Sequence, residues 1–150
     1  MVSKNNLTYY SNMNLKSQNS YIRKGACIHP IRPKRGEIYL IDFGTNIGSE
    51  LNDIHMGIII QSSFKNNVSS TIVVVPISSS PKLYDTHEQI NNNDILYGHL
   101  NKLPSKAKAE QITCIDKSRL IHKVGAVTQE FMLKLDVRVL KNLGIQSIAA

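Results

Sequence analysis

Any chemistry in this 150-residue chain has to come mainly from histidine, serine and lysine. His55 stands just before a run of aliphatic residues, and an imidazole changes charge near neutral pH. Pro76-Ile77-Ser78-Ser79-Ser80-Pro81-Lys82 closes a second apolar run with three hydroxyls and a cation. Hydroxyls can hold a phosphate by hydrogen bonding, while His and Lys suit proton transfer and charge. There is no Gly-x-Ser-x-Gly elbow, no Gly-rich phosphate loop and no metal-ligand cluster. A Ser/His hydrolase and a zinc enzyme are therefore disfavoured, and no metal or other cofactor is expected. Cys27 and Cys114 lie far apart and neither belongs to a C-x-x-C pair. That pattern suggests neither a disulfide framework nor a zinc site, and a reducing cytosol is the expected setting. No apolar run approaches the roughly 18 residues of a membrane span, and the N-terminus lacks a signal-peptide core.

The net charge of +7 is unevenly placed. Lys4, Lys16, Arg23, Lys24, Arg32, Lys34 and Arg35 fall within residues 1–35, which hold no Asp or Glu. The rest of the chain balances, with eleven basic and eleven acidic residues. A basic arm on a neutral body attracts a polyanion. The same composition also suits a solvated tail that only aids solubility.

These groups need a scaffold, and the pattern supplies one. Residues 1–33 are rich in Asn, Ser and Lys and lack apolar periodicity, so they read as a basic, partly disordered extension. A domain over 34–150 follows. Strands are expected at Glu37–Asp42, Met56–Gln61, Thr71–Ile77, His87–Ile90, Ile95–Leu100, Glu110–Ile115 and Leu120–Val127. The two aliphatic runs within them, Ile58–Ile60 and Val73–Val75, read as buried antiparallel neighbours. Residues 43–54 read as a flexible loop, 62–70 as a polar turn and 102–108 as a basic, Pro-containing loop. Thr128 can cap a helix that Gly144 ends, with Phe131, Leu135, Val139 and Leu143 toward the sheet. The fold class is mainly β with α: a small, strongly bent barrel or sheet with a long C-terminal helix.

Arg35-Gly36-Glu37-Ile38-Tyr39, Gly48-Ser49-Glu50 and an aliphatic strand ending at Gln61 resemble the opening of the MazF/PemK toxins. Thr86-His87 and the run from Glu110-Gln111-Ile112 to Arg119-Leu120 resemble that family's second half. The resemblance spans about residues 34–145. It implies an SH3-like barrel, usually a dimer, that cuts single-stranded RNA without a metal and is restrained by an antitoxin. Such cleavage uses the ribose 2′-OH as nucleophile. It needs a base, an acid and donors for the charge on phosphate.

Two positions depart from the family pattern. His55 stands where those toxins commonly carry a catalytic Arg, and Ser78 where they carry a Thr. Ser keeps the hydroxyl, whereas His exchanges a permanent five-donor charge for a titrating one. Either His55 is the acid or base of a rearranged site, or activity is lost. An exposed loop histidine with no role is the plainer alternative. Pro76 to Lys82, with one inserted serine, is also similar to a segment of ToxN-like toxins, which an RNA antitoxin inhibits. On that resemblance Lys82 supplies the missing cation; otherwise it is a solvated loop lysine. Ser49, Glu50, Ser79, Glu110 and Gln111 are the candidate RNA contacts, although Gln111 could equally pair with backbone. His87 and His99 read as structural.

Three readings follow from the residues and the resemblance. One is a cytoplasmic endoribonuclease toxin paired with an RNA or protein antitoxin. Another is an inactive nucleic-acid-binding module of the same fold. The last is a repressor-like or structural partner of an antitoxin.

Overall fold

The two aliphatic runs lie at the middle of one sheet, as their composition dictates. Ile58, Ile59, Val74 and Val75 are fully buried, and continuous apolar runs of this kind suit strands covered on both faces. They belong to a computed structural model that describes residues 32–146. The expected extension therefore falls outside the described residues, apart from Arg32 and Pro33.

Eight strands form the sheet: β1 (Glu37–Asp42), β2 (Ile54–Ile59), β3 (Thr71–Ser78), β4 (His87–Ile90), β5 (Ile95–Gly98), β6 (Ser105–Lys108), β7 (Thr113–Asp116) and β8 (Leu120–Val127). Their order is β4-β6-β3-β2-β1-β8-β5, with β7 also paired to β3. The result is a bent, half-barrel sheet. β1 and β2 are antiparallel with Ile41 opposite His55, and β2 and β3 are antiparallel with Gly57 opposite Pro76.

The long helix α2 (Gln129–Asn142) packs across one face. The Thr128 hydroxyl accepts the Phe131 N–H at 3.2 Å, which caps the helix. Phe131 and Leu135 are fully buried; truncating such a phenylalanine costs about 3–5 kcal/mol. Gly144 ends the helix in the left-handed region, φ +66°.

Arg35-Gly36-Glu37 is a fold-forming motif. The Arg35 guanidinium donates to the Ile60 carbonyl and pairs with Asp136 of α2. Glu37 is buried, and its carboxylate accepts from the Lys34 N–H at 2.8 Å and from Lys123 Nζ at 3.0 Å. Burial and the neighbouring Glu37 charge push the Tyr39 phenol well up, so it stays protonated.

Several expectations need correction. The polar stretch expected as a turn contains a short helix, α1 (Ser63–Val68), capped by the Ser62 hydroxyl. The basic segment expected as a loop over 102–108 becomes strand β6 from Ser105, because Lys106 and Lys108 alternate about the buried Ala107. The strand expected from Glu110 starts only at Thr113, after a 3-10 turn over Ala109–Gln111. β5 stops at Gly98, which leaves His99 exposed rather than packed on a strand. Leu143 is 54% exposed, because the helix has already ended at Asn142.

Candidate active site

His55 and Ser78 both lie on the face of the sheet away from α2. Side chains alternate along a strand. Ile58, Val75 and Ile77 pack in one core cluster with α2 residues Phe131 and Leu135. His55 and Ser78 have the opposite parity. The β2–β3 pairing runs from Ile59–Val74 to Gly57–Pro76 and stops short of both residues. Beyond that point Ser78 is paired with Lys106 of β6, and His55 with Ile41 of β1.

His55 is half-buried. Burial lowers its pKa below the usual value, and the Lys108 charge adds to this. The Asp53 charge and a hydrogen bond to the Asn52 backbone oppose the shift without overcoming it. The imidazole is therefore neutral at neutral pH and able to accept a proton. The Ser78 Oγ accepts the Ser80 N–H at 3.2 Å, which folds the serine run back on the end of β3. Ser79 is partly buried within that turn. Lys82 is exposed in the loop beyond, and no ion pair ties it to another described residue.

A cleft of about 560 Å³ opens on this sheet, lined by Ser49, Glu50, Pro76, Glu110, Gln111 and Arg119 among others. Its one wall is the β1–β2 loop, where the Glu50 carboxylate accepts the Ile47 N–H at 3.0 Å. The other wall is the 3-10 turn before β7. Gln111 Nε2 donates to the Ser49 carbonyl at 3.3 Å and so ties the walls together. The Glu110 carboxylate accepts from Thr86 Oγ1 at 3.1 Å and from His87 Nε2 at 2.7 Å. His87 is buried and anchors this wall, which fits its reading as a structural residue.

Three residues fall outside the site expected from the sequence, although Lys106 and Lys108 belong to the stretch read as a basic loop. Arg119 donates to the Asp42 carbonyl at 3.1 Å and brings a permanent cation to the cleft. Its place in the run from Glu110 to Leu120 was the available signal. Lys106 is buried beside the serine run, and Lys108 lies near His55. The alternating Ser105-Lys106-Ala107-Lys108 pattern marked their strand. Among the described residues no three His, Cys, Asp or Glu side chains cluster as metal ligands.

The comparisons agree with this architecture. Residues 34–143 match the family of PemK-like, MazF-like toxins of type II toxin-antitoxin systems. The chain is 30% identical over 103 residues to the endoribonuclease EndoA of Bacillus subtilis (strain 168), covering 69% of this chain and 87% of that protein. MazF from Deinococcus radiodurans superposes with a TM-score of 0.63 at 17% identity, covering 77% of this chain and 99% of that one. A mycobacterial endoribonuclease in complex with its cognate antitoxin gives 0.59 at 21% identity, covering 77% and 96%. The fold, the motif order and the family match converge: this chain belongs to the PemK-like, MazF-like toxin family of type II toxin-antitoxin systems.

Proposed function

We propose that the chain is an endoribonuclease that cuts single-stranded RNA in the bacterial cytoplasm without a metal. The observation that carries this reading is the cleft between the β1–β2 loop and the turn before β7, lined by Ser49, Glu50, Glu110 and Gln111, in a chain similar to an endoribonuclease. Neutral His55 takes the proton of the ribose 2′-OH. The 2′-oxygen attacks phosphorus, the bond to the 5′-oxygen breaks, and that oxygen takes a proton from solvent, to which His55 later returns the one it took. One product ends in a 2′,3′-cyclic phosphate and the other in a 5′-hydroxyl. The Ser78 hydroxyl donates to a non-bridging phosphate oxygen, and Lys82 offsets its charge from the loop. Ser49, Glu50, Ser79, Glu110 and Gln111 contact the RNA strand along the cleft walls.

The chain works as a homodimer restrained by a cognate antitoxin. A protein antitoxin is favoured by the family match and by the solved complex of the mycobacterial relative. Ile47, Leu83 and Tyr84 are exposed apolar side chains on the loops near the site, suited to an apolar antitoxin segment.

Incubating the purified full chain with a long single-stranded RNA in EDTA tests the activity. Discrete fragments with cyclic-phosphate ends are expected. RNA that is bound but stays intact would replace this reading with an inactive RNA-binding module.

A further inference from the structure

Lys106 occupies a position on β6 that ordinarily calls for an apolar residue. It is only 4% exposed. It stands opposite Ser78 in the β3–β6 register, so both side chains leave the sheet on the same face. Its Nζ donates to Ser80 Oγ at 3.3 Å, and the Ser80 N–H donates to Ser78 Oγ at 3.2 Å. An ammonium group and two hydroxyls are thus linked at the end of β3.

No carboxylate among the described residues pairs with this ammonium group. The nearby charges are Lys108, which repels it, and Glu110, which attracts it more weakly. Glu110 is itself engaged by His87, Thr86 and Lys108. A buried charge without a counter-ion costs stability. The counter-charge that the arrangement lacks is the one a phosphate would bring to the adjoining serines.

We propose that Lys106 is a positioning residue that charges the phosphate site from beneath, acting through Ser80. Its ammonium group donates to the Ser80 oxygen and turns the hydroxyl hydrogen outward, toward a non-bridging phosphate oxygen. Its charge offsets the negative charge that grows on the phosphate as the 2′-oxygen attacks. The assignment rests on the RNA-cleavage reading above. It supplies part of the positive charge that His55, neutral near pH 7, does not.

The test compares the full chain with Lys106→Met, Ser80→Ala and the double variant on a single-stranded RNA oligonucleotide. Lys106→Met should lower kcat about 10²-fold, while KM changes no more than about five-fold. Its Tm should not fall, because an apolar chain of similar length replaces an unpaired buried charge. A merely structural lysine would lower Tm and leave kcat alone. Ser80 is exposed, so Ser80→Ala folds normally and should slow cleavage comparably. The double variant should be no slower than the slower single one, because both changes break one chain of contacts. Wild-type kcat in either single variant overturns the proposal. A second arm measures binding of the same oligonucleotide with 2′-deoxyribose throughout. Lys106→Met should weaken it about five-fold. If the wild-type chain fails to cleave RNA, the cleavage reading falls, and the role of Lys106 stands or falls on this affinity. An unchanged Kd would overturn it.

Discussion

His87 Nε2 lies 2.7 Å from Glu110 Oε1, and this bond joins the start of β4 to one wall of the cleft. The Tyr84 N–H donates to His87 Nδ1 at 3.1 Å, so Nε2 carries the ring hydrogen and donates to Glu110. Burial pushes the Glu110 carboxyl up. The His87 hydrogen bond, backbone contact and Thr86 outweigh it, and the net shift is downward.

His87→Phe keeps most of the ring volume and removes this donor. It should cost about 1–3 kcal/mol at pH 7 by urea unfolding. Glu110 is depressed in the folded state, so its stabilisation is present above the ordinary carboxylate range. It is lost as pH falls through the folded value. The gap between wild type and variant should therefore narrow in acid. A gap that stays constant from neutral pH to pH 3 would show that the loss is one of packing.

Gly98 and Gly125 face each other across β5 and β8. A Cβ at Gly125 would run into the Tyr97 carbonyl oxygen, and one at Gly98 into the Val124 carbonyl oxygen. Gly125→Ala should cost about 2–4 kcal/mol, read as a fall in the urea midpoint. A neutral result would show that the edge strand β5 shifts freely.

The basic arm makes a prediction from sequence alone. Deleting residues 1–30 removes Lys4, Lys16, Arg23 and Lys24. The slope of log Kobs against log salt for RNA binding should then flatten by up to about 3. An unchanged slope would make the arm a bystander.

Much of this fold was legible because its strands are strongly patterned. Ile58–Ile60 and Val73–Val75 announce buried strands, and Thr128 announces the helix cap. β6 was not legible, because Lys106 and Lys108 look like loop lysines until Ala107 is seen to be buried between them. The helix Ser63–Val68 was hidden for a similar reason. Its polar, Asn-rich composition suits a turn, and its stability comes from the Ser62 cap and from Asn66, whose side-chain amide donates to the Pro33 and Gln61 carbonyls. At the site, the family resemblance pointed to His55 and Ser78, and strand parity puts both on one face of the sheet. Lys82 stood as the candidate cation on the resemblance of Pro76 to Lys82 to ToxN-like toxins. The buried Lys106 comes from 26 residues beyond Ser80, where sequence proximity gives no hint.

The last prediction concerns the proton. Burial holds the His55 pKa below its usual value of about 6.5, so the resting ring is a base. For a base the rate rises with pH and levels off above the folded pKa. The acid limb of kcat/KM should therefore bend below about 6.5. The linkage has the same sign: the unfolded chain binds the proton more tightly, so His55 makes stability fall as pH drops below the usual histidine value. His55→Ala should lower the rate by about 10²–10⁴-fold and leave RNA binding nearly intact. It should also remove the acid limb from whatever activity remains. His55→Arg restores a permanent charge, but it should likewise lose that limb, because an arginine does not titrate in this range. An acid limb that persists unchanged in His55→Ala would assign the titration to another group. Full activity in that variant would remove His55 from the mechanism and leave the charge at Lys82 and Lys106 to carry it. Cleavage that survives a 2′-deoxy substitution at the cut site would exclude the 2′-OH as nucleophile, and with it the need for any base at position 55.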